Sequence, residues 1–578
     1  MKANKNLNHT TAHLLAAAVL KLYPDTILGF GPPIDEGFYY DFEFTNPINE
    51  EDLKKIEKEM KKISSGGHTI ESVEKYDMSK QPLKNELYNE LLSKNMDITY
   101  YGMINPSDKK SVFTDLCKGG HIESISKIKN FKLLSLAGAY WRGDSKNQQL
   151  TRIYGTSWET KEQLDEYLNI LKERKERDHR KIGKEINIFT IDELSGQGFP
   201  IFLEGGMIVK NEIKNFLRDL EWKYEFTEVQ TPAFGSVDLY KISGHLDHYG
   251  DDMYPIMEVD NEKLLMRPMT CPHHLIIYKK SRKSYRDLPI RYSEHARLYR
   301  YEKSGALIGL ERVRSMELTD AHILATKGQL EEEFTRCYNL IMETLGTFNI
   351  EIDYISLSLR DPEDKEKYFD DNEMWDEVES LLKNVLEKLN VEYKEVIGEA
   401  AFYGPKMDIQ VKTALNHEIT LSTIQLDFLL PKRFNIEYID SDGTNSTPVL
   451  IHRGLIGTYE RFISILLEQT KGNLPLWLAP IQVVVIPINN EVHEQYSQEI
   501  YKLLRNEKIR VKIDNSDLRL NKKVRNAQIS KAKFQLIIGD NEIENKTINM
   551  RRYGSQDQEE MSTEKFINLL KKEIENKE

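Results

Sequence analysis

Apolar residues recur at helical spacing over Leu14–Leu22, and again over Glu51–Ile63, whose other face is charged. Two further amphipathic stretches, Leu330–Thr347 and Glu373–Leu389, predict helices, while Met407–Val411 and Ile419–Phe428 read as strands. Glu159–Lys181 is charged with little apolar surface, the pattern of one long connecting helix. The last hundred residues alternate. Strands are expected at Val483–Ile488, Ile509–Ile513 and Phe534–Ile538, and helices at Val492–Arg505, Asn521–Lys533 and Thr563–Ile574. Such alternation predicts a small α/β domain with a largely parallel sheet. Pro475–Pro480 (PLWLAP) punctuates the chain just before it.

At 578 residues the chain has room for about three or four domains. The divisions expected are 1–179, 180–478 and 479–578. Hydrophobic content of 39% and charged content of 30% are ordinary for a soluble protein, and neither a membrane span nor a signal peptide is readable. Cys117, Cys271 and Cys337 cannot build a disulfide framework, so a reducing cytoplasm is expected. The net charge of −13 argues weakly against a nucleic-acid partner. Local patches count for more, because phosphate contacts act over a Debye length of ~10 Å. Lys172–Lys184 and Arg519–Lys533 are two such basic stretches; a solvated helix face is the commoner origin of each, and contact with a nucleic-acid backbone is the other reading.

The segment RLYRYEKSGALIGLERVRSMELTDAH, Arg297–His322, carries the most chemistry. It predicts two strands, Ala296–Glu302 and Leu310–Leu318, joined through Lys303, Ser304 and Gly305. Arg300, Arg312 and Arg314 could then face a polyphosphate, with Glu302 to accept from a base or amine; arginine's planar fork donates two parallel bonds and keeps its charge. Taken alone, this hairpin reads equally as a solvated, salt-bridged surface. Upstream lies RPMTCPHH (Arg267–His274). Downstream, IHRGLIGTYERFISIL (Ile451–Leu466) reads as a glycine-bearing turn entering an apolar helix, with Arg461 in its first turns.

Together with VQTPAFGSVDLY (Val229–Tyr240), HTTAHLLAAAV, GFYYDF, TDLCKGGHI, GAYWRGD, DHRKIGKE, AFYGPK and TIQLDF, these segments resemble the class II aminoacyl-tRNA synthetases, and more narrowly the threonyl-tRNA synthetase family. The likeness runs over nearly the whole chain. It implies a multidomain α+β and α/β protein: an N-terminal α+β editing domain, an antiparallel-sheet catalytic domain and a C-terminal α/β anticodon-binding domain. It also implies a ligase that activates threonine with ATP, transfers it to the 3′ end of tRNA(Thr), and hydrolyses seryl-tRNA(Thr) at a separate site. A homodimer joined around Pro232 belongs to the same expectation. Met1 lies eight residues before His9, so a short form without the family's ubiquitin-like N-terminal module is expected.

The resemblance also assigns residues. Arg300 would grip the α-phosphate, Glu302 the adenine amino group, and Arg312 and Arg461 the outer phosphates with magnesium. His245 would stand near the tRNA terminal ribose; without the resemblance it is an ordinary surface histidine. Cys271, His322 and His452 are too far apart for spacing to reveal a metal site, yet they match the family's zinc ligands. Three protein ligands leave a fourth position for substrate. Asp320, Tyr403 and Gln425 would complete the threonine pocket. An apolar pocket separates near-isosteres poorly, whereas one demanding a hydroxyl ligand rejects valine strongly.

Serine differs from threonine by one methyl, worth roughly 1–3 kcal/mol, so a second hydrolytic site is the physical remedy. His9 and His13 are four apart on a predicted helix and share a face. They match the editing residues together with Asp115, Cys117 and His121. By chemistry alone the three histidines and the cysteine favour a zinc site; the family reading is a metal-free pocket. Glu542 and Arg551 match residues that touch anticodon bases. Leu318, Thr420 and Ser422 depart from the family pattern, which has glutamine, glutamine and glycine there. These departures keep open an alternative, a paralogue with weakened activation that binds RNA.

Overall fold

The computed structural model describes residues 2–144, 146–368 and 370–578. The chain divides into two compact units, Met1–Glu173 and Arg174–Glu578.

In the first unit the helix Lys5–Leu22 is capped by Asn4, whose side chain accepts from the amides of Asn6 and Leu7. Its apolar residues pack with the helix Glu50–Ser64 on an antiparallel sheet in which Gly37–Glu43 and Asn130–Tyr140 flank Gln149–Trp158. A second sheet orders Thr69–Val73, Tyr100–Ile104 and Ser111–Leu116. The expected connecting helix is broken. Lys161–Arg177 ends where the Asp178 carboxylate accepts from the Arg180 amide and starts a new helix, His179–Glu185.

The second unit is built on an eight-stranded sheet. Its order is Thr227–Glu228, Ile290–Tyr299, Ser315–Ala325, Val449–Thr458, Glu418–Asp427, Lys406–Lys412, Tyr354–Leu359 and Lys394–Ile397. Pairing is antiparallel except at the two outermost pairs. The helices Glu204–Lys223, Leu330–Thr347 and Tyr459–Thr470 share one apolar core with the sheet. Two expectations are corrected here. Ile451–Thr458 is a strand buried on both faces, not a turn; His452, Arg453 and two glycines interrupt the apolar run that a doubly buried strand usually shows. The hairpin strands are Ile290–Tyr299 and Ser315–Ala325, so Arg300–Arg314 form a long loop between them.

The C-terminal sheet, ordered Val511–Ile513, Val483–Pro487, Phe534–Ile538, Thr547–Arg552 and Gln558–Ser562, is only half parallel. Its last two strands form an antiparallel hairpin of largely polar residues that buries only Ile548, Met550 and Met561. Among the described residues no helix is long and apolar enough to cross a membrane.

Candidate active site and metal centre

Side chains opposite each other on adjacent strands share a face of the sheet. Cross-strand register therefore sets Gln425, His452 and His322 in one row over three neighbouring strands. Asp320, two residues from His322, lies on the same face. Cys271 opens the helix Cys271–Lys279 and is buried beside them. The ligand atoms of Cys271, His322 and His452 all lie within 4.8 Å of one another.

The outward nitrogens of both histidines are occupied. His452 Nε2 lies 2.9 Å from Asp427 Oδ2, and only the imidazole can donate there, so its Nδ1 carries a lone pair. Glu294 accepts from His274 Nε2 at 3.1 Å, leaving His274 Nδ1 to accept from His322 Nδ1 at 2.9 Å. His322 Nε2 is then unprotonated as well, and it faces His452 Nδ1 at 2.9 Å. Two lone pairs at that distance, with a thiol alongside, repel unless a cation sits between them. The donor set and these outer partners fit zinc. Burial, then the neighbouring His452 and His274, hold His322 well below the ordinary imidazole range, which keeps it a neutral ligand. Burial and the nearby Asp320 and Asp427 push the Cys271 thiol up, so metal binding would have to displace its proton. Asp427→Asn is expected to lower zinc affinity ~10–100-fold; competition against a chromophoric chelator measures it.

Glu294 also accepts from Thr231, and Arg267 bridges to it at 3.0 Å. Burial opposes its charge, but His274, Thr231 and Arg267 outweigh burial and hold the carboxyl at about 2. A carboxyl depressed in the folded state stabilises above its unfolded pKa and loses that contribution as pH falls through the folded value. Glu294 should therefore support the fold above about pH 4.5 and lose this between about 4.5 and 2. The pH dependence of unfolding free energy in that window, compared with Glu294→Gln, is expected to be steeper in the parent.

Around the cluster, the Thr270 hydroxyl donates to the buried Asp320 carboxylate. The Tyr403 hydroxyl donates to Gln425 Oε1 at 2.5 Å, and its ring stacks on His452. His245 is buried, not the surface histidine of the simpler reading. Its Nδ1 meets Ser243 Oγ at 2.7 Å and its Nε2 lies 3.9 Å from Cys271 Sγ. Burial, then His452 and Arg433, lower it to about 3, leaving a neutral imidazole.

Arg300 is anchored by its Nε on the Pro268 carbonyl, in the segment that carries Cys271. Arg461 donates to the carbonyls of Glu311 and Thr420, each at 3.2 Å. Burial, then Arg300, push its pKa down, so two guanidiniums crowd one place and call for an anion. Arg312 pairs with Glu302 at 2.9 Å. Arg314, the third candidate phosphate ligand, is instead tied to the carbonyls of Glu302 and Gln197 and lies over the Tyr301 ring. The atypical residues are accommodated. Leu318 packs with Ala296, Leu298, Val313 and Met316, Thr420 donates to Gln410, and Ser422 donates to the Leu455 carbonyl.

In the first unit His9, His13, Cys117 and His121 also bring their ligand atoms within 4.8 Å of one another. Cys117 Sγ lies 3.4 Å from His9 Nε2 and 3.2 Å from His121 Nε2. Gly119 and Gly120, with φ of +87° and +85°, turn the chain so that Cys117 and His121 face the helix; a Cβ on Gly119 would strike the Tyr101 hydroxyl at 2.7 Å. Burial lowers all three imidazoles, His121 to about 2, and raises Cys117 to about 11. The pocket is therefore lined by neutral groups. Asp115 lies beside it, bridged by Lys84 at 2.7 Å and by the Tyr40 hydroxyl at 2.5 Å, all three buried. Lys84, Tyr40, His274 and Asp427 were not singled out from sequence. His274, Tyr40 and Asp427 lay within recognised segments, RPMTCPHH, GFYYDF and TIQLDF, whereas Lys84 carried no signal.

The two anticodon candidates lie apart from the cluster, in the C-terminal sheet region. Glu542 is mostly buried and caps its own short helix by accepting from the Gly539 amide at 2.8 Å. Arg551 lies on Thr547–Arg552 and donates to the Ser555 carbonyl at 2.6 Å. In the basic stretch Arg519–Lys533, Lys523 is buried on the Pro487 carbonyl and Asn490, so that helix is not a wholly solvated face.

A largely antiparallel sheet bearing two of the three Cys/His/His residues, with Cys271 and three arginines supplied by the loop and helices beside it, is the arrangement of a class II aminoacyl-tRNA synthetase. The family described as tRNA synthetase class II core domain (G, H, P, S and T) matches residues 254–470. An anticodon binding domain matches 482–573, and the threonyl and alanyl tRNA synthetase second additional domain matches 101–154. The chain is 57% identical over its full length to a threonine–tRNA ligase of Mycoplasmopsis pulmonis, covering 98% of that relative. It is 50% identical to one of Ureaplasma parvum, covering 99% of each. The chain belongs to the threonine–tRNA ligase family. Among solved structures, the RNA binding domain of threonyl-tRNA synthetase from Cryptosporidium parvum matches 68% of this chain and 98% of its own, with a TM-score of 0.65 at 35% identity.

Proposed function

We propose that the chain is a threonine–tRNA ligase that joins threonine to tRNA(Thr) at the expense of ATP and clears seryl-tRNA(Thr) in its first unit. The observation that carries the reading is the in-register row Gln425–His452–His322 with Cys271 against it.

Cys271, His322 and His452 would hold zinc, which when bound would supply a Lewis-acidic position for threonine. Asp320, whose pKa burial raises, faces the substrate ammonium, and that cation favours its charged form. Tyr403 and Gln425 close the pocket side. Arg300 stabilises the α-phosphate as the threonine carboxylate attacks it, Glu302 receives the adenine amino group, and Arg312 and Arg461 hold the outer phosphates with magnesium. His245, a neutral base, serves the second step by taking a proton from the tRNA terminal ribose. Valine has no hydroxyl to offer and is refused.

Serine passes this pocket, and in the first unit His9, His13, Cys117 and His121 position water on the seryl ester without a metal, with Asp115 held beside them. Glu542 and Arg551 contact anticodon bases through acceptor and donor groups. The domain divisions at 179 and 478, a homodimer formed around Pro232, and a cytoplasmic location complete the reading. Aminoacylation of a tRNA(Thr) transcript tests it: threonine should be esterified to that transcript and not to an unrelated one, and absence of threonyl ester would overturn it.

A further inference from the structure

We propose that His179, in the segment DHRKIGKE, is a positioning residue for the nucleotide site, holding the turn that presents Glu311 and Arg312. The proposal rests on the synthetase reading of that site.

His179 is completely buried. The Leu310 amide donates to its Nε2 at 3.1 Å, which requires that nitrogen to be unprotonated and places the ring hydrogen on Nδ1. Nδ1 in turn meets Glu468 Oε1 at 2.7 Å. The other oxygen of Glu468 accepts from the Ala414 amide at 2.7 Å, so the carboxylate is fixed at both ends. Glu468 lies on the helix Tyr459–Thr470, which also carries Arg461. One imidazole thus ties the loop Arg300–Arg314 to the helix whose arginine faces the same anion site.

The adjoining contacts point the same way. Gly309 adopts φ +45°, and a Cβ there would lie 2.2 Å from His179 Nε2, so the turn is pressed onto the ring. One residue after the bonded amide, the Glu311 carbonyl accepts from Arg461 Nε at 3.2 Å. Arg312 follows immediately and pairs with Glu302. Displacing Leu310 would move the backbone anchor of Arg461 and the root of Arg312 together, without touching the Cys/His/His cluster. The expected consequence is confined to ATP.

The two imidazole bonds can be separated. His179→Gln places an acceptor near the Nε2 position; His179→Asn keeps a donor near Nδ1 and loses the acceptor. In threonine-dependent exchange of pyrophosphate into ATP, His179→Asn is expected to raise KM for ATP about tenfold, the scale of one unmade buried hydrogen bond. KM for threonine should stay within about twofold, and His179→Gln should restore most of the ATP effect. Gly309→Ala, whose Cβ would press the turn away from the ring while keeping both His179 and Glu468, should reproduce the ATP-selective rise and keeps the test open if His179→Asn fails to fold. A purely structural role predicts lower thermal stability with both KM values unmoved, or equal effects of Asn and Gln; either result in folded protein overturns the proposal. Absence of threonine-dependent exchange in the unsubstituted chain would instead overturn the synthetase reading.

Discussion

Cys271→Ala is expected to give a folded protein that holds no zinc and activates threonine about 10³-fold more slowly or worse, the scale of several kcal/mol of lost charge stabilisation. Cys271 is buried at the first turn of its helix and packs with Leu275, Leu288 and Tyr403, so a small apolar replacement leaves the surroundings intact. What disappears is the soft donor. His322 and His452 remain, with their outward nitrogens still held by His274 and Asp427. Two imidazoles alone bind zinc weakly beside the three-ligand set. Metal content by atomic emission and the rate of threonine-dependent exchange should fall together. Full exchange in the metal-free variant would remove the metal from the account.

Replacing His9 and His13 together by alanine is expected to slow seryl-tRNA(Thr) hydrolysis by ~10²–10⁴-fold, the range of lost acid–base assistance. Threonyl-tRNA(Thr) formation should persist. The two histidines project from one helix into a pocket of neutral side chains, where an imidazole lone pair is available near neutral pH. None of the groups proposed for threonine activation lies in that unit. Deacylation of preformed seryl-tRNA(Thr), run with and without a chelator, reads the effect. Equal loss of both activities would contradict separate sites, and loss of parent deacylation on chelation would contradict the metal-free reading.

Much of this architecture is legible along the chain because burial leaves a period behind it. Leu330–Thr347 is read with its observed limits, and Phe534–Ile538 likewise, since a full apolar stripe or a buried strand leaves little choice. The hairpin loop is read too short, because Arg300–Arg314 contains apolar residues such as Leu310 and Val313 that pack inward without belonging to a strand. The break at Asp178 is a side-chain cap, which a charge pattern does not display. The Cys/His/His cluster is the clearest case of chemistry hidden from spacing. His322 and His452 meet through strand register, and nothing in the local text of either announces the other. The family resemblance joins them; the fold explains how. Lys84 belongs to neither kind of signal. It sits on a short polar helix like a surface lysine, yet is buried against Asp115, and only the tertiary structure distinguishes it.

The most direct test of the central claim is pyrophosphate exchange into ATP with threonine, serine and valine run in parallel on zinc-loaded protein. Exchange with threonine and with serine, and none above background with valine, is the predicted result. Valine exchange comparable to that with threonine, or no exchange with threonine at all, would contradict it.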